Sequence, residues 1–199
     1  RDSESVWISS GNWKDSSLPP DGIGNREWSV IVNSQSFAEL VLSRMAWDEN
    51  QMHLHISAHS NNHAPTFDWV MEEPSFDGEI TPPVDHSGPF DLRLITCPDD
   101  CVDGIIEMID SADTSIELSV QYLDLDWYWG FGENPIIEAI HSAALRGVQV
   151  RLLLNGFYVD SDDEIRDAVQ MFNTDWNATQ GLDTTARIMA SSDTIVKLH

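Results

Sequence analysis

The first third of the chain alternates short apolar runs with turn-forming clusters. Val6 to Ser9 predicts a strand, and Ser10-Gly11-Asn12 after it has turn composition. Lys14 to Asn25 carries Ser16, Ser17, Pro19, Pro20, Gly22 and Gly24 and predicts a loop. Glu27 to Val32 predicts a second strand with Trp28, Val30 and Val32 on one face. Ser34 to Asp48 predicts a helix, with Ser36 as cap, Glu39 three residues on, and an apolar side of Phe37, Leu40, Val41 and Met45. Met52 to Ile56 is a further strand candidate. From Ser57 to Phe90 the periodicity stops, and Pro, Asn, His and acidic residues dominate. This stretch predicts a long surface connection between two halves, residues 1–56 and 91–199.

The second half has a strand-helix rhythm. Leu92 to Thr96 predicts a strand. Asp100 to Ala112 predicts a helix burying Val102, Ile105, Ile106 and Ile109. Ser115 to Tyr122 is a β-branched strand, and Asp124 to Gly132 an aromatic loop with Trp127, Tyr128, Trp129 and Phe131. Pro135 to Gly147 predicts a helix with Pro in its first turn and Gly at its end. Val148 to Leu154 is apolar enough to predict a strand buried on both faces. Asp162 to Phe172 predicts a helix, and Ala186 to Met189 and Thr194 to Leu198 predict strands. This alternation argues for an α/β fold, a mixed β-sheet flanked by helices with parallel pairs inside it.

Composition narrows the function classes. Apolar residues make up 41% of the 199, enough for a packed core. No apolar run reaches the roughly 18–20 residues that a membrane span requires. Acidic residues number 34 against 10 basic, for a net charge of -24. Such a surface repels polyanions and disfavours an electrostatic nucleic-acid binder. It reads as a solvated acidic shell, and a high-salt environment would screen its self-repulsion.

Candidate chemistry is sparse. Cys97 and Cys101 are too few for a structural zinc site; they are either free or close a small disulfide loop, and the favoured disulfide implies an oxidising compartment. His53, His55, His59 and His63 form the one metal-like cluster, but no acidic or Cys ligand sits at a known spacing, so no metal is expected. Asp99, Asp100, Asp103, Asp162, Asp163 and Glu164 lie near helix starts, where capping and the helix dipole account for them. Asn177-Ala178-Thr179 matches a glycosylation acceptor pattern that is common by chance. The aromatic loop reads as a plug between layers or, with Trp127, Tyr128 and Trp129, as a wall of a substrate pocket at the strand ends. Trp7, Trp13 and Trp28 are expected in the core or in a pocket wall.

Three segments together resemble the phospholipase D superfamily, whose active site comes from two repeats, each with a His-x-Lys-x4-Asp motif followed by Gly-Ser-x-Asn. Val6-Trp7-Ile8-Ser9-Ser10-Gly11-Asn12-Trp13 and Gly24-Asn25-Arg26-Glu27-Trp28 resemble the stretch after the first motif. Ser10 and Asn12 fall on the family's Ser and Asn, Glu27 on a frequent acidic position, and Ser9 stands where Gly is usual. Ala143-Ala144-Leu145-Arg146-Gly147-Val148-Gln149-Val150-Arg151 resembles the run that leads into a core strand of a repeat. Thr194-Ile195-Val196-Lys197-Leu198-His199 resembles the strand that delivers the motif histidine.

The order of these segments resembles the end of one repeat (1–56), a linker (57–90) and the start of the next (91–199). The resemblance implies phosphodiester hydrolysis or transfer through a phosphohistidine, without metal or cofactor. It assigns His199 to catalysis and Ser10, Asn12 and Glu27 to pocket support. A phospholipid is favoured over nucleic acid as substrate, and no protein partner is evident. No complete motif is present, so the chain by itself is expected to be inactive. The alternative is a non-catalytic binding or adhesion module of a secreted or surface protein on the same kind of scaffold. The disulfide, if formed, favours an extracellular or cell-surface location.

Overall fold

In a computed structural model of the chain, the described residues are 4–13, 25, 27–51, 83–97, 99–127, 132–156, 159 and 163–189. They divide between two compact units. The smaller draws on residues 4–9, 29–51 and 83–94, and the larger on 10–13, 25, 27–28 and 95–189.

In the smaller unit both strands predicted near the start of the chain form, and they pair with each other. Strands β1 (Val6–Ser9) and β2 (Ser29–Val32) are antiparallel, with Val6 opposite Val32 and Ser9 opposite Ser29. The Ser29 hydroxyl donates to Ser9 Oγ at 2.8 Å. Helix α1 (Gln35–Gln51) follows. Its cap is Ser34, not the expected Ser36: Ser34 Oγ accepts from the Phe37 N–H at 3.3 Å. The predicted apolar side also holds only in part, because Phe37 and Ala38 are buried while Leu40 and Met45 are exposed.

The larger unit contains the parallel sheet. Strand β3 (Ser115–Val120) pairs with β6 (Gln149–Leu154), which pairs with β7 (Thr184–Ile188), both in parallel. Helix α3 (Pro135–Leu145) connects β3 to β6. Helix α4 (Asp163–Gln170) continues into a π-helix (Met171–Thr179) and connects β6 to β7. A further helix, α2 (Cys101–Asp110), precedes β3. Between β3 and α3 lies the two-stranded ribbon of β4 (Asp126–Trp127) and β5 (Gly132–Glu133). The class is thus α/β, with a wholly parallel three-stranded sheet and two small antiparallel pairs in place of one mixed sheet among the described residues.

Local chemistry explains the helix ends. Asn134 caps α3: its Oδ1 accepts from the Ile136 N–H at 2.9 Å, and its Nδ2 donates to the Asp124 carbonyl at 2.6 Å. Gly147, at φ 92°, takes the left-handed conformation that releases the chain into β6. Gly104 lets α2 approach Ile95, whose Cδ1 would lie 3.0 Å from a Cβ at that position.

Leu92 to Thr96 is not a strand. The Thr96 N–H donates to Asp100 Oδ1 at 2.9 Å, and the Asp100 N–H donates to the Thr96 carbonyl at 3.1 Å. The Cys97–Cys101 disulfide closes the same turn, with Cα atoms 5.0 Å apart. These contacts use the backbone groups of Thr96 that a sheet ladder would need.

One face of the sheet forms the core. Ile116, Val150, Leu152, Leu154 and Ala186 pack with Ile109 of α2, Ile140 and Ala143 of α3, Ile165 of α4, and Phe172 and Trp176 of the π-helix. Strand β6 alternates half-buried and buried residues, so it is covered on one face only, contrary to the expectation of burial on both. The π-helix also closes the outer edge of β7. Asn173 exchanges two hydrogen bonds with the Ala186 backbone, at 3.0 and 2.8 Å, and Asn177 Nδ2 donates to the Thr184 carbonyl at 2.8 Å. Side-chain amides here supply the groups that a further strand would offer.

Candidate functional site

Ser10 and Glu27, 17 positions apart in the sequence, meet through a hydrogen bond. The Ser10 N–H donates to the Trp28 carbonyl at 3.0 Å. The Ser10 hydroxyl donates to Glu27 Oε2 at 2.7 Å and accepts from the Trp28 N–H at 3.0 Å. Asn25 Nδ2 donates to the other carboxylate oxygen, Glu27 Oε1, at 3.2 Å. Both oxygens of Glu27 are thereby fixed, and the Ser10 proton is committed to a carboxylate. In this arrangement Ser10 and Glu27 hold backbone and side chains in place instead of presenting a donor to a ligand. Asn12 is exposed and makes no hydrogen bond among the described residues.

Of the remaining sequence-derived site residues, Trp127 is half-buried in β4, opposite Gly132. Tyr128, Trp129 and His199 lie outside the described residues, as do His53, His55, His59 and His63. No group of three or more metal-capable side chains occurs among the described residues. The acidic residues at helix starts act locally: Asp99 and Asp100 bond Thr96, and Asp163 lies 3.6 Å from Arg166. Asn177, the glycosylation candidate, has its amide nitrogen engaged by the Thr184 carbonyl. Trp13 and Trp28 are exposed and Trp7 marginally so, so none of the three is a core residue; of the two places expected, the pocket wall is the one that Trp28 takes.

The described residues also form a cleft of about 880 Å³ over the open face of the parallel sheet. The odd-numbered strand positions face it. Glu117, Arg151 and Thr185 form one row across β3, β6 and β7, and Ser119, Leu153 and Arg187 form the next. Trp28 contributes a wall. Arg151 is occupied by Asp183, with Nη2 2.9 Å from Oδ1. Hydrogen bonds from Gln149 and then Arg151 hold the Asp183 carboxyl below its ordinary value. The sequence signal for this face was the alternation of Glu117 and Ser119 with Ile116 and Leu118, together with Arg151 in an otherwise apolar strand.

Compared with models of known protein families and with curated proteins, the chain matches none.

Proposed function

We propose that the chain supplies part of a phosphodiester-cleaving pocket of the phospholipase D type. The observation that carries the reading is the Ser10–Glu27–Asn25 cluster, which joins the two halves of the first resembling segment through hydrogen bonds of 2.7 and 3.2 Å. In this reading one imidazole attacks phosphorus and displaces an alcohol as the P–N bond forms. A second imidazole protonates the leaving oxygen, then deprotonates the water that breaks the P–N bond. His199 is the candidate imidazole in this chain. Ser10 and Glu27 are positioning residues, because their polar atoms are spent on one another.

A phospholipid remains the favoured substrate, since a net charge of -24 opposes a polyanion. The Cys97–Cys101 disulfide supports an oxidising compartment, extracellular or at the cell surface. The second reading is a non-catalytic binding or adhesion module on the same kind of scaffold.

The coding sequence separates the two. The catalytic reading expects a Lys codon two positions beyond His199 and a His-x-Lys motif upstream of Arg1. Substituted motifs at both places would leave only the binding module.

A further inference from the structure

We propose that the cleft over the parallel sheet binds a small amphiphilic anion, with its charged group on Arg187 and its apolar body over Leu153 against Trp28. Three observations carry this, none of which depends on the phosphodiester reading. First, Arg187 lines the cleft, is exposed, and its side chain makes no hydrogen bond or ion pair among the described residues, in a chain with 34 carboxylate side chains and 10 cationic ones. Arg151, the neighbouring cation, is already neutralised by Asp183. A guanidinium left over beside an apolar floor matches an anionic group on an apolar body.

Second, Ser119 lines the cleft, and its Oγ is buried without a hydrogen-bond partner among the described residues. Such an atom carries a desolvation cost that a ligand's polar group relieves. Third, Ser119, Leu153 and Arg187 share one row of the sheet, on β3, β6 and β7. Two strand spacings separate the ends of that row by roughly 10 Å. A ligand of that length reaches from the Arg187 guanidinium across Leu153 towards Ser119, whose hydroxyl it meets by a small side-chain rotation, with the Trp28 ring on its side. Glu117 lies in the adjacent row on β3, at the far side of the sheet from Arg187, so the anionic end belongs on β7.

The test uses two dyes of one shape. 1-Anilinonaphthalene-8-sulfonate carries the anion, and N-phenyl-1-naphthylamine lacks it. Fluorescence titration of the whole chain is expected to show one saturable site that prefers the sulfonate. Arg187→Gln should weaken sulfonate binding about tenfold, corresponding to about 1.4 kcal/mol, and leave the neutral dye unchanged. Arg187→Lys should fall between, and Trp28→Ala should weaken both dyes. Arg187 is exposed, and an unchanged near-ultraviolet circular dichroism spectrum will show that each variant keeps its fold. Equal binding of the two dyes, non-saturable binding, or sulfonate affinity untouched by Arg187→Gln would overturn the proposal.

Discussion

Replacing Asn173 by Ala tests how the π-helix holds the sheet that floors the cleft. The side chain donates to the Ala186 carbonyl at 3.0 Å and accepts from the Ala186 N–H at 2.8 Å. Each bond contributes about 1 kcal/mol net, which sets a floor near 2 kcal/mol for the pair. Ala186 is only 3% exposed, so its two backbone groups are poorly placed to recover water. An unsatisfied buried group costs roughly 1–3 kcal/mol, which raises the expected loss to about 2–4 kcal/mol. Asn177→Ala removes a single bond, to the Thr184 carbonyl, from an exposed side chain, and should cost about 1 kcal/mol. Urea unfolding followed by circular dichroism gives both values, and amide exchange should show Ala186 losing protection selectively. A loss under about 0.5 kcal/mol for Asn173→Ala, or a larger loss for Asn177→Ala, would refute the edge-closing role.

The remaining predictions concern the disulfide, the acidic pair and the surface charge. Changing Cys97 and Cys101 to Ser should cost about 2 kcal/mol by the loop-entropy relation for so short a loop, read as a lower urea midpoint with unchanged slope. An equal midpoint would show that the turn is held by Asp100 alone. Glu138 is raised from 4.5, first by its hydrogen bond with Glu133, then by burial and by the Glu133 charge. A carboxyl raised in the folded state stabilises below its ordinary value, and that contribution is lost as pH rises through the raised one. Glu138→Gln should therefore gain melting temperature over the parent as pH rises above the ordinary carboxylate range, and a constant difference would exclude the pair as its cause. With a net charge of -24, the melting temperature should rise as potassium chloride goes from about 0.1 to 2 M; no change would mean that self-repulsion is negligible.

Elements with local punctuation were legible in the sequence. Pro135 in the first turn of an apolar period and Gly147 after it delimit α3, because the first and last turns use groups within a few residues. The β-branched Ser115–Val120 run, too, is a strand. Legibility failed where distant groups decided the outcome. Thr184 and Thr185 begin β7 because Asn177 and the Phe172 carbonyl engage Thr184, and neither contact leaves a pattern in the strand. The continuation of α4 as a π-helix has no marker beyond its own apolar positions. Leu152, Leu153 and Leu154 hid the half-buried face of β6, because three consecutive leucines suit a strand covered on either side. For the candidate site, Ser10 and Glu27 were singled out by resemblance, and Asn25 joined them only through the hydrogen bond to Glu27. Apart from Trp28, the cleft residues went unnoticed because each is an ordinary strand residue until the register aligns them.

The phosphodiester reading is tested most directly by p-nitrophenol release from bis(p-nitrophenyl) phosphate, using the polypeptide as its gene encodes it. The account predicts turnover that His199→Ala abolishes and that Ser10→Ala, which frees Glu27 from its 2.7 Å partner, lowers by about ten- to a hundredfold without changing the pH profile. Turnover retained by His199→Ala, or none from a polypeptide with both flanking motifs intact, would contradict it.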